Sequence, residues 1–310
     1  MNSAPFEFKP LTVRAAMDKS VIALGSFDGL HLGHKAIIDT AYNLAECLNA
    51  SLCVFSFALP PASYANPERR IALSNANERL CRFGAMGADL AIFADFSAIK
   101  DMSPEDFVEK MLVGRFNAIA TVCGFNFCFG KDRQGTPETL KRYFGENAVC
   151  VDAVMHGGAP ISSSRIRALI EDGRVDEAAE MLGAPYSITL PVSTGRGDGR
   201  KLGFPTLNQV PSENRLIPKF GVYATRTILP DGKKVNSITD CGTAPTLDSR
   251  GQVRVETHLL DTSESLYGKN VKVEFLRYLR GEKVFPNADE LVGQVSADIE
   301  AARAVFAENN

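Results

Sequence analysis

Up to about residue 184 the chain alternates short apolar runs with amphipathic stretches: SVIAL then HKAIIDTAYNLAECL, SLCVFSF then NERLCRFGAMG, DLAIF then PEDFVEKML, AIATVCGF then TPETLKRYF, and VCVDAV then SRIRALIEDG. Apolar runs of this length, each followed by a helical period, predict a parallel sheet covered by helices on both faces. Ligands of such sheets sit beyond the carboxyl ends of the strands, where loops meet helix N-termini.

After GAPYS (183–187) the period shortens. YSITLPV, GVYATRTIL before PDG, VNSITDCG, QVRVETHLL and NVKVEFLRYL alternate β-branched residues between turn residues, which predicts an antiparallel barrel or sandwich. From Ala288 to Phe306, Leu291, Val295, Ile299 and Ala302 recur at helical spacing and predict a helix that caps the barrel. The 310 residues therefore divide into an α/β domain over 1–184 and an all-β domain with a terminal helix over 185–310.

Hydrophobic residues make up 45% of the chain and charged residues 23%, the balance of a soluble globular protein. A formal net charge of −3 leaves no basic field for gripping a nucleic-acid backbone, so phosphate must be recognised locally. This predicts small phosphorylated ligands and no nucleic-acid partner. Neither MNSAPFEFKPLTVRAAMDKS at the start nor any later run has the apolar length of a signal peptide or a membrane span, which predicts a cytoplasmic protein with no membrane partner. Seven cysteines, an odd set without CxxC pairs, predict reduced thiols, most of them buried.

The stretch GSFDGLHLGHKAII (25–38) joins the first apolar run to the first helical pattern. Gly25 and Gly29 permit backbone conformations that other residues avoid, and a helix begins just beyond them. Its free N–H groups and dipole favour an anion, and His31 and His34, three apart, lie on one face of its first turn. Two imidazoles beside a phosphate can donate hydrogen bonds to charge that builds on a reacting phosphorus and its leaving group. The HxxH spacing by itself also fits an exposed helix face or part of a metal site.

Further along, VCGFNFCFGKDRQG (122–135) reads as a glycine-bounded loop after a strand, and ISSSRIRALI (161–170) as a helix opened by capping hydroxyls. STGRGDGRKLGFPTLNQV (193–210) places four glycines and three basic residues ahead of Thr206 and Asn208. Such a loop turns successive N–H groups toward a polyphosphate, while Thr and Asn oxygens can hold a magnesium ion. A flexible hairpin is the alternative, and no GK[ST] follows to make a P-loop. In VRVETHLLD (253–261), Arg254, Glu256, His258 and Leu260 fall on one strand face and Val253, Val255, Thr257 and Leu259 on the other. Glu256 is then either a proton acceptor at a barrel mouth or a solvent-facing carboxylate.

Together these stretches resemble the prokaryotic bifunctional riboflavin kinase/FAD synthetase family. GxFDGxHxGH is similar to the HxGH signature of its nucleotidyltransferase half, and Gly25, Phe27, Asp28, Gly29 and Gly33 belong to that signature with His31 and His34. VCGFNFCFG resembles the second motif, with Asn126 at the position that contacts the nucleotide. ISSSRIR differs from the family's ISSTRIR at Ser164, and the match implies that Ser163, Ser164 and Arg167 grip the triphosphate of ATP, Arg167 with a fork of donors.

In the second half, GRKLGFPTLN resembles the kinase signature GRxLGFPTAN, with Leu207 for Ala. The match implies that Thr206 and Asn208 help to coordinate Mg²⁺, and that Gly195, Gly199, Arg200 and Lys201 border the ATP phosphates, with Gly203, Phe204 and Pro205 completing the signature. VETHLLD fits VExHLxD, whose glutamate, here Glu256, accepts the proton of the riboflavin 5′-hydroxyl. LYGKNVKVEFLRYLRGEKVF (266–285) follows the pattern LYGKxVxVxFxxxLRxExxF, in which Arg280 supports the flavin-side loop or pairs with Glu282.

Two segments depart from the family. FALPP (57–61) replaces FxPHP and loses its histidine, leaving Phe57 to line the flavin or adenine pocket, and CGTAPTL (241–247) carries Ala244 where GxRPTF has arginine. The resemblance implies a Rossmann-like α/β nucleotidyltransferase domain followed by an antiparallel β-barrel kinase domain with a terminal helix. It implies phosphorylation of riboflavin by ATP with Mg²⁺, then adenylyl transfer to FMN giving FAD and pyrophosphate. A chain keeping the kinase alone is the alternative that FALPP motivates. A flavin-binding regulator without turnover is opposed by His31, His34, Thr206, Asn208 and Glu256.

Overall fold

The computed structural model describes residues 6–11, 18–61, 71–195, 198–212, 214–243, 253–262 and 266–308. The chain packs as two compact units, Met1–Ser163 and Ser164–Asn310. The helix Val175–Leu182, which a domain boundary at residue 184 leaves with the first domain, packs on strands of the second unit.

In the first unit the strands are β1 (Phe6–Pro10), β2 (Ser20–Leu24), β3 (Ser51–Phe57), β4 (Leu90–Ala94), β5 (Ala118–Gly124) and β6 (Ala148–Val151), in sheet order β1-β4-β3-β2-β5-β6, with β7 (Met155–His156) and β8 (Ala159–Pro160) as a separate hairpin. β2 to β6 run parallel, and β1 adds antiparallel at the β4 edge. The parallel strands are near-continuous apolar runs because both faces are covered. Ile22, Leu24, Cys53 and Phe55 pack with Phe107, Leu112 and Phe116 in one layer, while Val21, Ala23, Leu52 and Val54 pack with Ile37, Ile38 and Phe83 in the other. β1, with its Pro10, is at an edge, where a missing ladder donor is tolerated. PEDFVEKML is not one α-helix: the short turn Pro104–Asp106 runs into a seven-residue π-helix, Phe107–Val113.

In the second unit β9 (Tyr186–Ser193), β10 (Thr206–Gln209), β11 (Gly221–Ile228), β12 (Lys234–Thr243), β13 (Val253–Leu259) and β14 (Asn270–Arg280) form a closed barrel in the order β10-β13-β12-β11-β14-β9. All its pairings are antiparallel, so barrel closure, and not a sandwich, is the outcome. A chain of hydroxyls runs through fully buried Thr227, Ser237, Thr225, Thr239 and Thr257, each link 2.8 or 2.9 Å. The terminal helix Ala288–Glu308 sets Ala302, Val305 and Phe306 against Ala224, Ile238 and Leu260. It therefore packs across β11, β12 and β14 of the barrel.

All seven cysteines are free; only Cys53, Cys123 and Cys241 are buried, whereas Cys47, Cys81 and Cys150 are exposed and Cys128 is half-buried. The expectation that most are buried is corrected: Cys47 and Cys81 stand on outward-facing helix positions and Cys150 on the edge strand β6.

Candidate active sites

β2 is wholly buried and ends at Gly25, from which the chain reaches the helix Leu32–Leu48 in six residues that double back on themselves. Three of these residues are left-handed: Phe27 (φ 50°), Gly29 (φ 82°) and Leu30 (φ 46°). Gly25 is not among them, so its role is space and not conformation: a Cβ there would meet the Phe27 ring at 2.9 Å. Non-glycine residues at positive φ cost of order 1–3 kcal/mol each and persist where their surroundings hold them.

His31 is the N-cap of the helix and accepts the backbone N–H of His34 on Nδ1 at 3.2 Å. That bond assigns the neutral ring's proton to Nε2. The two imidazoles stack at 3.6 Å with 14° between their planes, and Phe27 meets His34 edge-on at 5.3 Å. A Cβ at Gly33 would press on the His31 ring at 3.2 Å. Burial brings the His31 pKa down to about 4, with Asp28 opposing. His34 is held well below its usual range by burial, then by His31, Arg79 and Arg82.

Asp28, buried, accepts the N–H groups of Leu73 (3.2 Å) and Ser74 (3.1 Å), and the Gly29 N–H donates to Ser74 Oγ at 3.0 Å. Two arginines of the helix Ala76–Ala85 complete the brace. Arg79, only 1% exposed, donates to Ser26 O, Ser56 Oγ, Phe57 O and Ala58 O at 2.7–3.1 Å. Arg82 donates to Gly29 O and Leu30 O. Neither arginine stands out in the sequence, where both read as polar positions of an amphipathic helix.

Asn126 is exposed in the turn after β5, where Phe127 N–H donates to Gly124 O at 3.0 Å. Ser163 Oγ donates to Asp28 O at 3.0 Å, which ties Ser163 to the loop that carries His31. Ser164 is exposed and Arg167 half-buried on the helix that Ser163 opens. Phe57 ends β3 and packs edge-on against Phe55 and Phe96, both at 5.7 Å.

In the barrel, strand register makes the second site. Thr206 pairs with His258 and Asn208 with Glu256 across β10 and β13, so all four side chains share one face. Glu256 lies 4.0 Å from Arg254. His258 Nδ1–H donates to Pro205 O at 2.9 Å, and Phe204 meets the His258 ring edge-on at 5.5 Å. Asn208 is buried, and its amide lies so close over Gly195 that a Cβ there would overlap it. Gly199 is equally constrained, since a Cβ would come within 2.5 Å of Phe204 O. Gly203 is left-handed at φ 87°, Arg200 is exposed, and Lys201 ends the short helix Asp198–Lys201. Arg196, Gly197 and Ala244 lie outside the described residues. Leu207, the residue that replaces alanine, packs with Val192, Leu259 and Val271 in the barrel core.

Arg280 does not pair with Glu282. It clasps Asp298 of the terminal helix, Nε–H and Nη2–H donating to the carboxylate at 2.8 and 2.6 Å, while Gln294 donates to the same carboxylate at 2.9 Å. Asp298 is almost fully buried, so this is an interior ion pair. Glu282 instead covers Gly242 so closely that a Cβ there would overlap its carboxylate.

A family model described as FAD synthetase matches residues 13–165, and one described as riboflavin kinase matches residues 182–306. The bifunctional riboflavin kinase/FMN adenylyltransferase of Bacillus subtilis (strain 168) is 31% identical over 301 residues, covering 95% of each chain. The chain belongs to the bifunctional riboflavin kinase/FMN adenylyltransferase family. The Haemophilus influenzae member is 32% identical over 92% of this chain, and a solved structure described as a macrolide-efflux protein from Streptococcus pneumoniae is 31% identical with a TM-score of 0.84 over 95%. Both domains of the riboflavin kinase/FMN adenylyltransferase family are present, and among the described residues no helix is long and apolar enough to cross a membrane. In this member of the family the FALPP segment begins with two carbonyls, those of Phe57 and Ala58, held by Arg79.

Proposed function

We propose that the chain makes FAD in two steps, with residues 185–310 phosphorylating riboflavin to FMN and residues 1–184 transferring AMP from a second ATP to FMN. Its partners are then small molecules alone. The seven free thiols and the use of ATP suit work in the cytoplasm. The observation that supports the reading is that the fold brings motif residues of each half together, His31 stacked on His34 at a helix start and Asn208 opposite Glu256 in the barrel.

In the kinase step Glu256 accepts the 5′-hydroxyl proton of riboflavin as that oxygen attacks the γ-phosphorus of ATP. Thr206 and Asn208 suit a magnesium ion. Their oxygens share one strand face, the Asn208 amide is fixed over Gly195, and a cation that keeps waters and phosphate oxygens needs few protein ligands. When bound, Mg²⁺ neutralises charge on the transferring phosphate. Gly195, Gly199, Arg200, Lys201 and Gly203 border the phosphates, Phe204 and Pro205 shape the approach to Thr206, and Arg280 secures the terminal helix behind the flavin-side loop.

In the adenylyl step the FMN phosphate is already an anionic nucleophile, so orientation and charge stabilisation do the work. His31 Nε2–H donates to the α-phosphate as charge builds there, and His34 backs its ring. The first-turn N–H groups receive the pyrophosphate, Ser163, Ser164 and Arg167 hold the triphosphate, Asn126 contacts the nucleotide, and Phe57 lines the pocket. Chromatography of purified protein incubated with riboflavin, ATP and Mg²⁺, beside a sample fed FMN, tests both steps. FMN followed by FAD is expected. FMN accumulating while the FMN-fed sample stays unchanged would leave the kinase and remove the transferase.

A further inference from the structure

The hydrogen bonds of Arg82 run to backbone oxygen alone. Nη1–H donates to Gly29 O at 3.1 Å and Nη2–H to Leu30 O at 3.3 Å, while Glu78, one turn earlier on the same helix, is the carboxylate whose charge acts on that guanidinium. The two carbonyls belong to consecutive peptide groups, and Gly29 and Leu30 are both left-handed. A fork of two parallel donors matches such a pair, as a single ammonium does not. Arg82 thus fixes the planes of both peptides, including one that follows a leucine in a conformation leucine avoids.

A trans peptide points its N–H opposite to its C=O, and no described peptide is cis. Because Leu30 O faces Arg82, the N–H of the same peptide group, that of His31, faces away from it. No described residue accepts that N–H. It stands next in sequence to the N–H groups of Leu32 and Gly33, which a helix starting at Leu32 leaves without helical partners. The following N–H, of His34, is taken by His31 Nδ1.

We infer that Arg82 is a positioning residue for adenylyl transfer: by gripping the Gly29 and Leu30 carbonyls it aims the His31 N–H, with the His31 ring, at the phosphate oxygens of the reacting nucleotide. The inference rests on the adenylyltransferase reading of this loop. Arg82 touches no reacting atom. It acts through the orientation of one peptide group, which adds a donor to the row at the helix start.

The test compares R82A and R82K with the unaltered protein in FAD formation from FMN and ATP, with riboflavin phosphorylation as an internal measure of folding. R82A should lower kcat about 100-fold, the loss typical of one misplaced oxyanion donor, and leave FMN formation unchanged. Guanidinium at tens of millimolar should restore R82A at least about tenfold, where equal urea does not, because only the cation refills the fork; a role in stability alone gives no such rescue. R82K, with one point donor for two carbonyls, should be about tenfold slow, and it decides the matter if R82A does not fold. R82A without guanidinium rescue, or either variant at the unaltered rate, overturns the inference. H31A separates the two levels: if it keeps full FAD formation, the reading of the loop fails and not only the role of Arg82.

Discussion

The imidazole of His31 lies 3.6 Å from that of His34 and accepts its neighbour's backbone N–H, so the pair is built for two neutral rings. Burial agrees, holding His31 down to about 4 and His34 well below 6.5. With the folded pKa below the unfolded one, the unfolded chain binds more protons between about 4 and 6.5. The contribution of the pair to stability is complete above that window and is lost as pH falls through it. FAD formation from FMN should therefore run flat from about pH 6.5 upward and decline below about 5. A pH–rate profile with a limb near 6.5 that vanishes in His31→Asn would show instead that a charged imidazole works.

Glu256 faces Asn208 across β10 and β13, with Arg254 at 4.0 Å as its cationic neighbour. Glu256→Gln keeps the shape and removes the proton acceptor. Riboflavin phosphorylation should slow by about 10² to 10⁴, while FAD formation from supplied FMN continues. Product chromatography from both starting flavins reads the two rates in one preparation, and an unchanged kinase rate would take the base role from Glu256.

The strands that the hydrophobic rhythm marks are those whose two faces are both buried, and SVIAL, SLCVFSF and DLAIF all became parallel strands because burial alone specifies them. β1 went unread since Glu7 and Lys9 interrupt it and its strand character comes from pairing with β4, more than eighty positions away. The hairpin Met155–His156 with Ala159–Pro160 did carry a local signal, Gly157 and Gly158, both left-handed, in a run too short to show alternation. The motif residues of both sites were legible by type and spacing. Arg79, Arg82 and Asp298 were not: a charge on an amphipathic helix looks the same whether it meets water, a backbone carbonyl or a buried partner.

Gly195 tests the proposed metal ligand without touching it. An alanine Cβ would overlap the Asn208 amide, so the amide must move. Gly195→Ala should raise the Mg²⁺ concentration that half-saturates riboflavin phosphorylation by about tenfold, a cost of about 1.4 kcal/mol in metal binding. Gly203→Ala is the matched control. Its residue is left-handed with open space around it, so it meets backbone strain and no side-chain collision. Magnesium titrations that move equally in both variants would mean loop conformation, and not Asn208, sets the affinity.

Asp240 stands opposite Glu256 on the other neighbouring strand, β12. Its carboxyl is pushed up to about 6 by burial, then by Glu282 and Glu256, against a smaller pull from Arg280, which is already bound to Asp298. Here the folded pKa lies above the unfolded one, so the folded state binds more protons between about 4 and 6. The contribution of Asp240 is full below that window and is lost as pH rises through about 6, leaving a carboxylate among like charges at neutral pH. Asp240→Asn keeps the shape and removes the charge. Asp240 is an exposed residue, so solvent screens much of that repulsion, and calorimetry should find the variant melting only slightly higher at pH 7.5, with the gain shrinking toward zero near pH 4, opposite in direction to the acid sensitivity carried by His31. A variant that melts lower at pH 7.5 would mean that the carboxylate makes a favourable contact that outweighs its repulsion from Glu282 and Glu256.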